Sequence, residues 1–347
     1  MTTEQSGPYY ELEVVRIIEE TADARSLVFG VPDGLKETFK YRAGQFLTFG
    51  VTVEEHPLVR CYSLASSPDV DAEKKVTVKR VAEGRASNWF NDHVTVGDVL
   101  KVMKPAGNFC LQDRSTQLVL FAGGSGITPV ISLVKSALAT TQRSIQLVYA
   151  NRDEGSIIFR KELDELASAH ADRLEVVHRL DEVDGFLDVT AAGALISNAL
   201  SADFYVCGPG AYMDVVEAAL ATAGVPSDRI FIERFLSPEL EALDHPAERE
   251  EGEASSKVVI YLDGQETELV VGEGETILEA CHRAGLDAPC ACLEGYCGAC
   301  MALVKGGTVE MRENDGGLDD SQVAEGWVLT CQGLLRSEGV RVEYPDA

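Results

Sequence analysis

Between residues 9 and 113, apolar and polar positions alternate in short runs: YELEVVRII, ARSLVFGV, GQFLTFGV, VRCYSLAS, KKVTVKRV and DVLKVMKP. A period of two puts one side of a strand in a core and the other in water. Turn signals separate the runs, and the stretch 86–93 carries a helical pattern. Short strands at this spacing predict an antiparallel β-barrel or sandwich over 1–113.

The pattern changes near Arg114. Wholly apolar runs QLVLFA, IQLVYA, LEVVH, DFYVCG and RIFIERF alternate with helical segments near 129–140, 159–170, 188–199 and 211–223. That alternation predicts an α/β domain over 114–237, a parallel sheet with helices on both faces. From Pro238 to Ser256 come seven acidic residues, two prolines and no apolar period, which reads as a solvated linker over 238–256. The runs KVVIYLDGQETELVV, TILEACHRAG and VRVEYP then predict a compact α+β domain over 257–347. The chain is multidomain, as 347 residues are many for one core.

Charge and cysteine content narrow the chemistry. The net charge is −27, and residues 238–347 hold −17 of it, with 24 Asp/Glu against 7 Lys/Arg. Such a surface repels nucleic-acid phosphates and can steer a basic protein partner. The opening MTTEQSGPYYELEVV lacks the basic and apolar regions of a signal peptide, and no apolar window is long enough for a membrane span. A cytoplasmic location is therefore expected. Nine cysteines, five of them within 281–300, then suggest metal or redox chemistry rather than a disulfide framework.

The stretch CLEGYCGAC sets Cys292-x4-Cys297-x2-Cys300, with Cys331 some thirty residues on. This is the plant-type [2Fe–2S] spacing. Each iron of the cluster needs two thiolates, and Gly295 and Gly298 allow the loop to turn closely around it. A structural zinc site is the alternative, but zinc ribbons present two C-x2-C pairs and this chain has one. Cys281 and Cys290 are left over, and Cys290 reads as a buried thiol. All-cysteine ligation of this type gives a potential of roughly −400 mV, that of a one-electron donor.

In LVLFAGGSGITPV, Gly123, Gly124 and Gly126 fall between a strand and a helix, with Thr128 placed to cap the helix and Pro129 to begin it. Such a turn can receive a dinucleotide phosphate, although the pattern is not G-x-G-x-x-G. A second loop, Cys207-Gly208-Pro209-Gly210, follows a later strand, where ligands of parallel sheets bind. In the barrel, Arg60 can clamp a pyrophosphate and Tyr62 can lie on a flat ring. Gly84-x-x-Ser87 opens a helix as another candidate phosphate cradle. The six histidines read as scattered surface or packing residues.

Taken together and in order, these motifs resemble the ferredoxin–NADP reductase superfamily over residues 9–237, followed by a plant-type ferredoxin domain of β-grasp-like fold over 257–347. The matching residues are Arg60, Tyr62 and Ser63 of RCYSL, the GGSGITP loop, CGPG, and EGWVLTCQG around Cys331. The resemblance implies that Arg60 holds a flavin pyrophosphate, Tyr62 packs on the isoalloxazine and Ser63 lies near its reactive nitrogen. It adds Val78 and Lys79 of VTVKR to the cofactor-binding set with Gly84 and Ser87. It sets Gly123, Gly124, Gly126, Thr128, Cys207, Gly208 and Pro209 beside the nicotinamide, and makes Phe235 a ring-covering aromatic with Glu233 beside it. The catalytic candidates are thus Ser63, Cys207, Glu233 and Phe235.

The domain order is similar to that of reductase components of 3-ketosteroid 9α-hydroxylases, with phenylacetyl-CoA epoxygenase reductases sharing the layout. The resemblance implies an enzyme that moves electrons from NADH through FAD and a [2Fe–2S] cluster to a terminal oxygenase of Rieske type. NAD(P)H yields an electron pair as hydride and the cluster accepts single electrons, so a flavin must stand between them. FMN remains the alternative to FAD. For the nucleotide, Asp181 and Glu182 oppose a 2′-phosphate while Arg179 would attract one, so NADPH remains the alternative to NADH. A carrier with a vestigial flavin domain is the non-enzymatic reading, which the intact cofactor loops oppose. A self-contained oxygenase finds no haem or mononuclear-iron ligand set.

Overall fold

The computed structural model describes residues 9–54, 56–235, 256–262, 264–286, 288–290, 293, 295, 298–314, 317–318 and 320–344. The chain divides into two compact units, 1–47 with 62–235 and 48–61 with 236–347. The linker expected over 238–256 lies outside the described residues except for Ser256.

All six alternating runs at the start of the chain form strands. They are β1 (Tyr10–Thr21), β2 (Ala24–Gly30), β3 (Phe46–Val53), β4 (His56–Ser63), β5 (Lys74–Lys79) and, after helix α1 (Arg85–Asp92), β6 (Val99–Val102). Their order in one sheet is β4-β3-β6-β1-β2-β5. The pairs β1–β2, β1–β6 and β2–β5 are antiparallel. Just past β4, Leu64 bridges Val76 of β5, and Ala65 N–H donates to the Lys75 carbonyl at 2.7 Å. These contacts bring the chain beyond one edge strand onto the other and curl the sheet into a barrel, which removes an open edge.

The apolar runs form the strands β7 (Leu118–Gly123), β8 (Ile145–Asn151), β9 (Leu174–Leu180), β10 (Asp203–Gly208) and β11 (Ile230–Arg234). The intervening helices are α2 (Ile127–Thr140), α3 (Arg160–Ala169), α4 (Asp181–Asp184), α5 (Val189–Ile196) and α6 (Gly210–Thr222). The strands are parallel in the order β11-β10-β7-β8-β9. Leu118, Leu120 and Ala122 pack with Val130, Ile131 and Val134 of α2 on one face. Val119 and Phe121 pack with Ile196, Met213 and Val216 on the other. Burial on both sides explains why these strands are uniformly apolar.

Polar contacts join the barrel to α2 and α3 within this unit. Ser132 Oγ donates to the Ser66 carbonyl at 2.6 Å, and the Ser67 and Ser136 hydroxyls lie 2.7 Å apart. Lys135, 7% exposed, reaches both Asp71 and Glu162. Glu162 also pairs with Lys75 of β5 at 3.2 Å.

The second unit holds β12 (Ser256–Leu262), β13 (Gln265–Val271), α7 (Ile277–Arg283), β14 (Met301–Gly306), β15 (Val309–Met311), α8 (Asp320–Ala324), β16 (Trp327–Leu329), β17 (Gly333–Leu335) and β18 (Val340–Glu343). Its sheet runs β13-β12-β18-β14-β16, with β12 and β18 parallel. α7 starts on a capping box in which Thr276 Oγ1 accepts from Glu279 N–H and the Glu279 carboxylate accepts from Thr276 N–H. Among the described residues no helix is long and apolar enough to cross a membrane.

Candidate functional site

The parallel sheet grows from β7 toward β8 and β9 on one side and toward β10 and β11 on the other. Its strand order therefore reverses between β7 and β10, and ligands of such sheets bind outside the carboxyl ends at that point. Gly123 closes β7 and Cys207-Gly208 closes β10, so both glycine loops expected from the sequence meet there.

The contact leaves no space for side chains. A Cβ on Gly126 would overlap the Cys207 carbonyl. One on Gly123 would lie 2.8 Å from Pro209 Cδ, and one on Gly208 would lie 3.0 Å from Gly123 Cα. Gly124 adopts a left-handed φ of 51°, which a residue with a Cβ rarely takes. Tyr149, buried beneath the loop, donates its hydroxyl to the Gly124 carbonyl at 3.1 Å.

The helix start differs from expectation. Residues Gly124–Gly126 form a 3-10 turn, α2 begins at Ile127, and Gly126 occupies the cap position. Thr128 is thus not the cap and Pro129 not the first helical residue; the Thr128 hydroxyl instead donates back to the Ser125 carbonyl at 3.0 Å. The close approach of Gly126 to β10 requires the extra turn.

β5 of the barrel delivers Lys79 to this loop. A Cβ on Gly124 would stand 3.5 Å from Lys79 Nζ, which also lies 3.9 Å from Asp23. Burial lowers the Lys79 pKa, partly opposed by the Asp23 charge. Val78 beside it is buried, and its carbonyl accepts from Asn91 Nδ2 at 3.2 Å.

Cys207 lies in register with Glu233 of β11. Burial holds its thiol well above the ordinary range, with the Glu233 charge adding to the effect, so it is neutral. Tyr212 packs its ring against Gly123 and Gly208. Its hydroxyl is buried without a partner among the described residues, an unmet polar group beside the loops. The sequence reading missed it, because a tyrosine at the third position of a helix carries no motif. Phe235, just after β11, is 42% exposed, and Glu233 is 9% exposed.

In the barrel, Ser63 is buried at the end of β4, and Tyr62 meets Phe90 of α1 edge to face at 5.1 Å. Arg60 is half-buried, with Nη1 donating to the Val59 carbonyl at 2.9 Å. At the start of α1 the Ser87 hydroxyl accepts from Val81 N–H at 3.1 Å and donates to the Gly84 carbonyl at 3.3 Å. Gly84 is the helix cap and has no room for a Cβ, which would fall 2.7 Å from Ser87 Oγ. The turn thus occupies the Ser87 hydroxyl.

At the other end of the sheet, Arg179 of β9 is engaged internally. Its guanidinium lies 3.8 Å from the Asp184 carboxylate, which also accepts from Leu180 N–H at 2.8 Å. Asp181 and Glu182 stand in the same turn, α4.

In the second unit, Cys300 and Cys331 are buried at 2% and 7% exposure and form no disulfide. Cys292 and Cys297 lie outside the described residues. Among the described residues no three His, Cys, Asp or Glu side chains converge as a metal site, which leaves half of the expected set in view. The surrounding loop fits a cluster. Gly295 and Gly298 have left-handed φ of 84° and 74°. A Cβ on Gly317 would lie 2.6 Å from the Gly295 carbonyl oxygen, and one on Gly298 would lie 3.0 Å from that of Gly317. Gln332 Nε2 fixes the Leu293 carbonyl at 2.6 Å. Cys290 is buried, as read from the sequence, and Cys281 is fully buried with its thiol pushed up to about 12 by that burial.

Comparison with known proteins agrees with this arrangement. Residues 11–110 match an oxidoreductase FAD-binding domain, 120–218 an oxidoreductase NAD-binding domain and 260–336 a 2Fe-2S iron-sulfur cluster binding domain. The chain is 43% identical to the ferredoxin reductase component of 3-ketosteroid-9-alpha-monooxygenase from Mycolicibacterium smegmatis, over 100% of both chains. It is 34% identical to one of the subunits of the 1,2-phenylacetyl-CoA epoxidase of Escherichia coli, covering 97% of this chain and 98% of that one. Phthalate dioxygenase reductase shares the fold, with a TM-score of 0.61 at 24% identity over 97% of this chain and 98% of that one. A flavin domain, a nicotinamide domain and an iron–sulfur domain thus stand in the order the sequence implied, and the chain belongs to the family of ferredoxin reductase components of monooxygenases.

Proposed function

We propose that this chain is the NADH-dependent reductase of a multicomponent steroid 9α-monooxygenase, supplying single electrons to a separate terminal oxygenase of Rieske type. Identity of 43% to the steroid-linked relative, against 34% to the epoxidase relative, favours the steroid reading over the epoxidase one. Its functional divisions are a flavin barrel (1–113), a nicotinamide domain (114–237), a linker (238–256) and a ferredoxin domain (257–347), in a cytoplasmic protein.

The observation that carries the reading is the meeting of Gly123–Gly126, Cys207–Pro209 and Lys79 at the reversal of the parallel sheet. Backbones without side chains would let a flat ring approach there, and the buried Cys207 thiol beside them is neutral. Lys79 supplies a cation for a dinucleotide's phosphates. When bound, FAD accepts an electron pair and releases electrons singly, and the [2Fe–2S] cluster carries one at a time.

The remaining roles belong to the chain's own residues. Tyr62 would pack on the flavin ring, Ser63 would hydrogen-bond near its reactive nitrogen, and Arg60 would hold the pyrophosphate. The backbone around Gly84 and Ser87 would add donors to that pyrophosphate, and Val78 would wall the ring. Thr128 braces the nucleotide turn through Ser125. Glu233 and Phe235 close the nicotinamide side. Cys292, Cys297, Cys300 and Cys331 hold the cluster.

NADH is favoured over NADPH by the turn after β9. Asp184 engages Arg179, which leaves Asp181 and Glu182 to repel a 2′-phosphate. Ferricyanide reduction by the purified protein with each nucleotide tests this, and kcat/KM at least tenfold higher with NADH is expected. Equal values would refute the nucleotide assignment. Reconstitution with a Rieske-type steroid oxygenase tests the partner: NADH-dependent hydroxylation is expected, and its absence with a reductase that still reduces ferricyanide would refute it.

A further inference from the structure

A chain of hydrogen bonds runs through the interior of the second unit and ends on Cys300. Tyr344 Oη donates to Thr330 Oγ1 at 2.8 Å. Thr330 Oγ1 donates in turn to the Cys300 carbonyl at 2.9 Å, and Thr330 N–H reaches the same oxygen at 3.1 Å. The two hydroxyl donors therefore point the same way, each with its positive end toward the Cys300 carbonyl.

The members are the residue before Cys331 and the residue after β18. Thr330 is 0% exposed and Tyr344 is 3% exposed, so water does not compete for these bonds. Packing alone would be met by apolar residues of similar shape, whereas an interrupted buried bond leaves a desolvated polar group unpaired. A series of aligned donors in a low-dielectric interior also has an electrostatic effect. It stabilises added negative charge at the end it points to, and reduction of an iron–sulfur cluster adds one such charge.

We propose that Tyr344 and Thr330 are positioning residues that fix Cys300 and raise the reduction potential of the cluster. This rests on the reading of Cys300 as a cluster ligand. The relay would make the cluster a better acceptor of electrons from within the chain while keeping it a low-potential donor.

The test is an anaerobic redox titration of the full-length holoprotein, with the cluster followed by EPR and the flavin by absorbance. Tyr344→Phe removes one oxygen and keeps the ring. It is expected to make reduction of the cluster about three- to tenfold less favourable, a tenfold change being 59 mV for one electron. Thr330→Val is expected to shift it in the same direction, and Thr330→Ser to restore it. The flavin midpoint should not move. Full cluster content with an unchanged midpoint in Tyr344→Phe overturns the proposal. If that variant loses its cluster, Thr330→Val decides, and an unchanged midpoint there overturns it equally. The ligand reading is tested separately by Cys300→Ala: unaltered iron content and EPR signal would overturn that reading, whatever Tyr344→Phe does.

Discussion

Gly126 and Cys207 meet with no room for a single added carbon, since a Cβ on the glycine would overlap the cysteine carbonyl. One strand end thereby fixes the height of the other's loop, and the nucleotide slot is set by backbone on both sides. Gly126→Ala must push the loops apart. A loss of about 1–3 kcal/mol is expected from the overlap. A several-fold rise in KM for NADH should accompany it, with cluster content unchanged. Steady-state kinetics and a thermal melt check both, and wild-type KM with wild-type stability would refute the contact's role.

Asp203 is a second fixed point. Its fully buried carboxylate takes Arg143, itself 2% exposed, together with Arg114 at 3.1 Å and Arg229 at 3.5 Å. Thr116 adds a hydrogen bond at 2.9 Å. Asp203→Asn keeps the shape but leaves the Arg143 charge uncompensated in the core, at an expected cost of about 3–5 kcal/mol. Denaturant unfolding followed by flavin release would measure it. A shift under about 1 kcal/mol would mean that these charges are solvated in solution.

His178 provides a pH test. Burial lowers its pKa from 6.5, with the Asp164 charge opposing. The native state therefore prefers the neutral ring, and the unfolded chain takes up the proton first as pH falls. Stability should be fully present above about pH 6.5 and decline as pH falls toward the folded-state pKa. His178→Gln should flatten that decline. Melting temperatures across roughly pH 5.5–7.5 compare the two, and parallel curves would contradict the assignment.

Arg60 tests the flavin reading. Arg60→Ala should lower flavin content per chain several-fold while changing KM for NADH by less than twofold in the flavin-loaded fraction. Flavin released on denaturation, measured by absorbance, gives the occupancy. Full occupancy would show that the pyrophosphate is held elsewhere.

Much of this was legible before the structure. Six alternating runs gave six strands, because a half-buried strand imposes its period on the chain. The five apolar runs gave a parallel sheet for the complementary reason, burial on both faces. Local rules failed where long-range contact decides. Thr128 and Pro129 look like a helix start, yet the approach of Gly126 to β10 inserts a 3-10 turn ahead of the helix. The arginines around Asp203 come from positions 114, 143 and 229, and no sequence period connects them. Tyr344 and Thr330 were invisible for the same reason. Arg179 was ambiguous from sequence alone, and its pairing with Asp184 is a fact of the turn.

The central claim is that electrons arriving in pairs from nicotinamide leave this chain singly through iron and sulfur. Anaerobic titration of the holoprotein with NADH, read by absorbance and low-temperature EPR together, tests it directly. Flavin bleaching accompanied by the signal of a reduced [2Fe–2S] cluster is the predicted result. A bleached flavin beside a cluster that stays EPR-silent until dithionite is added would contradict it.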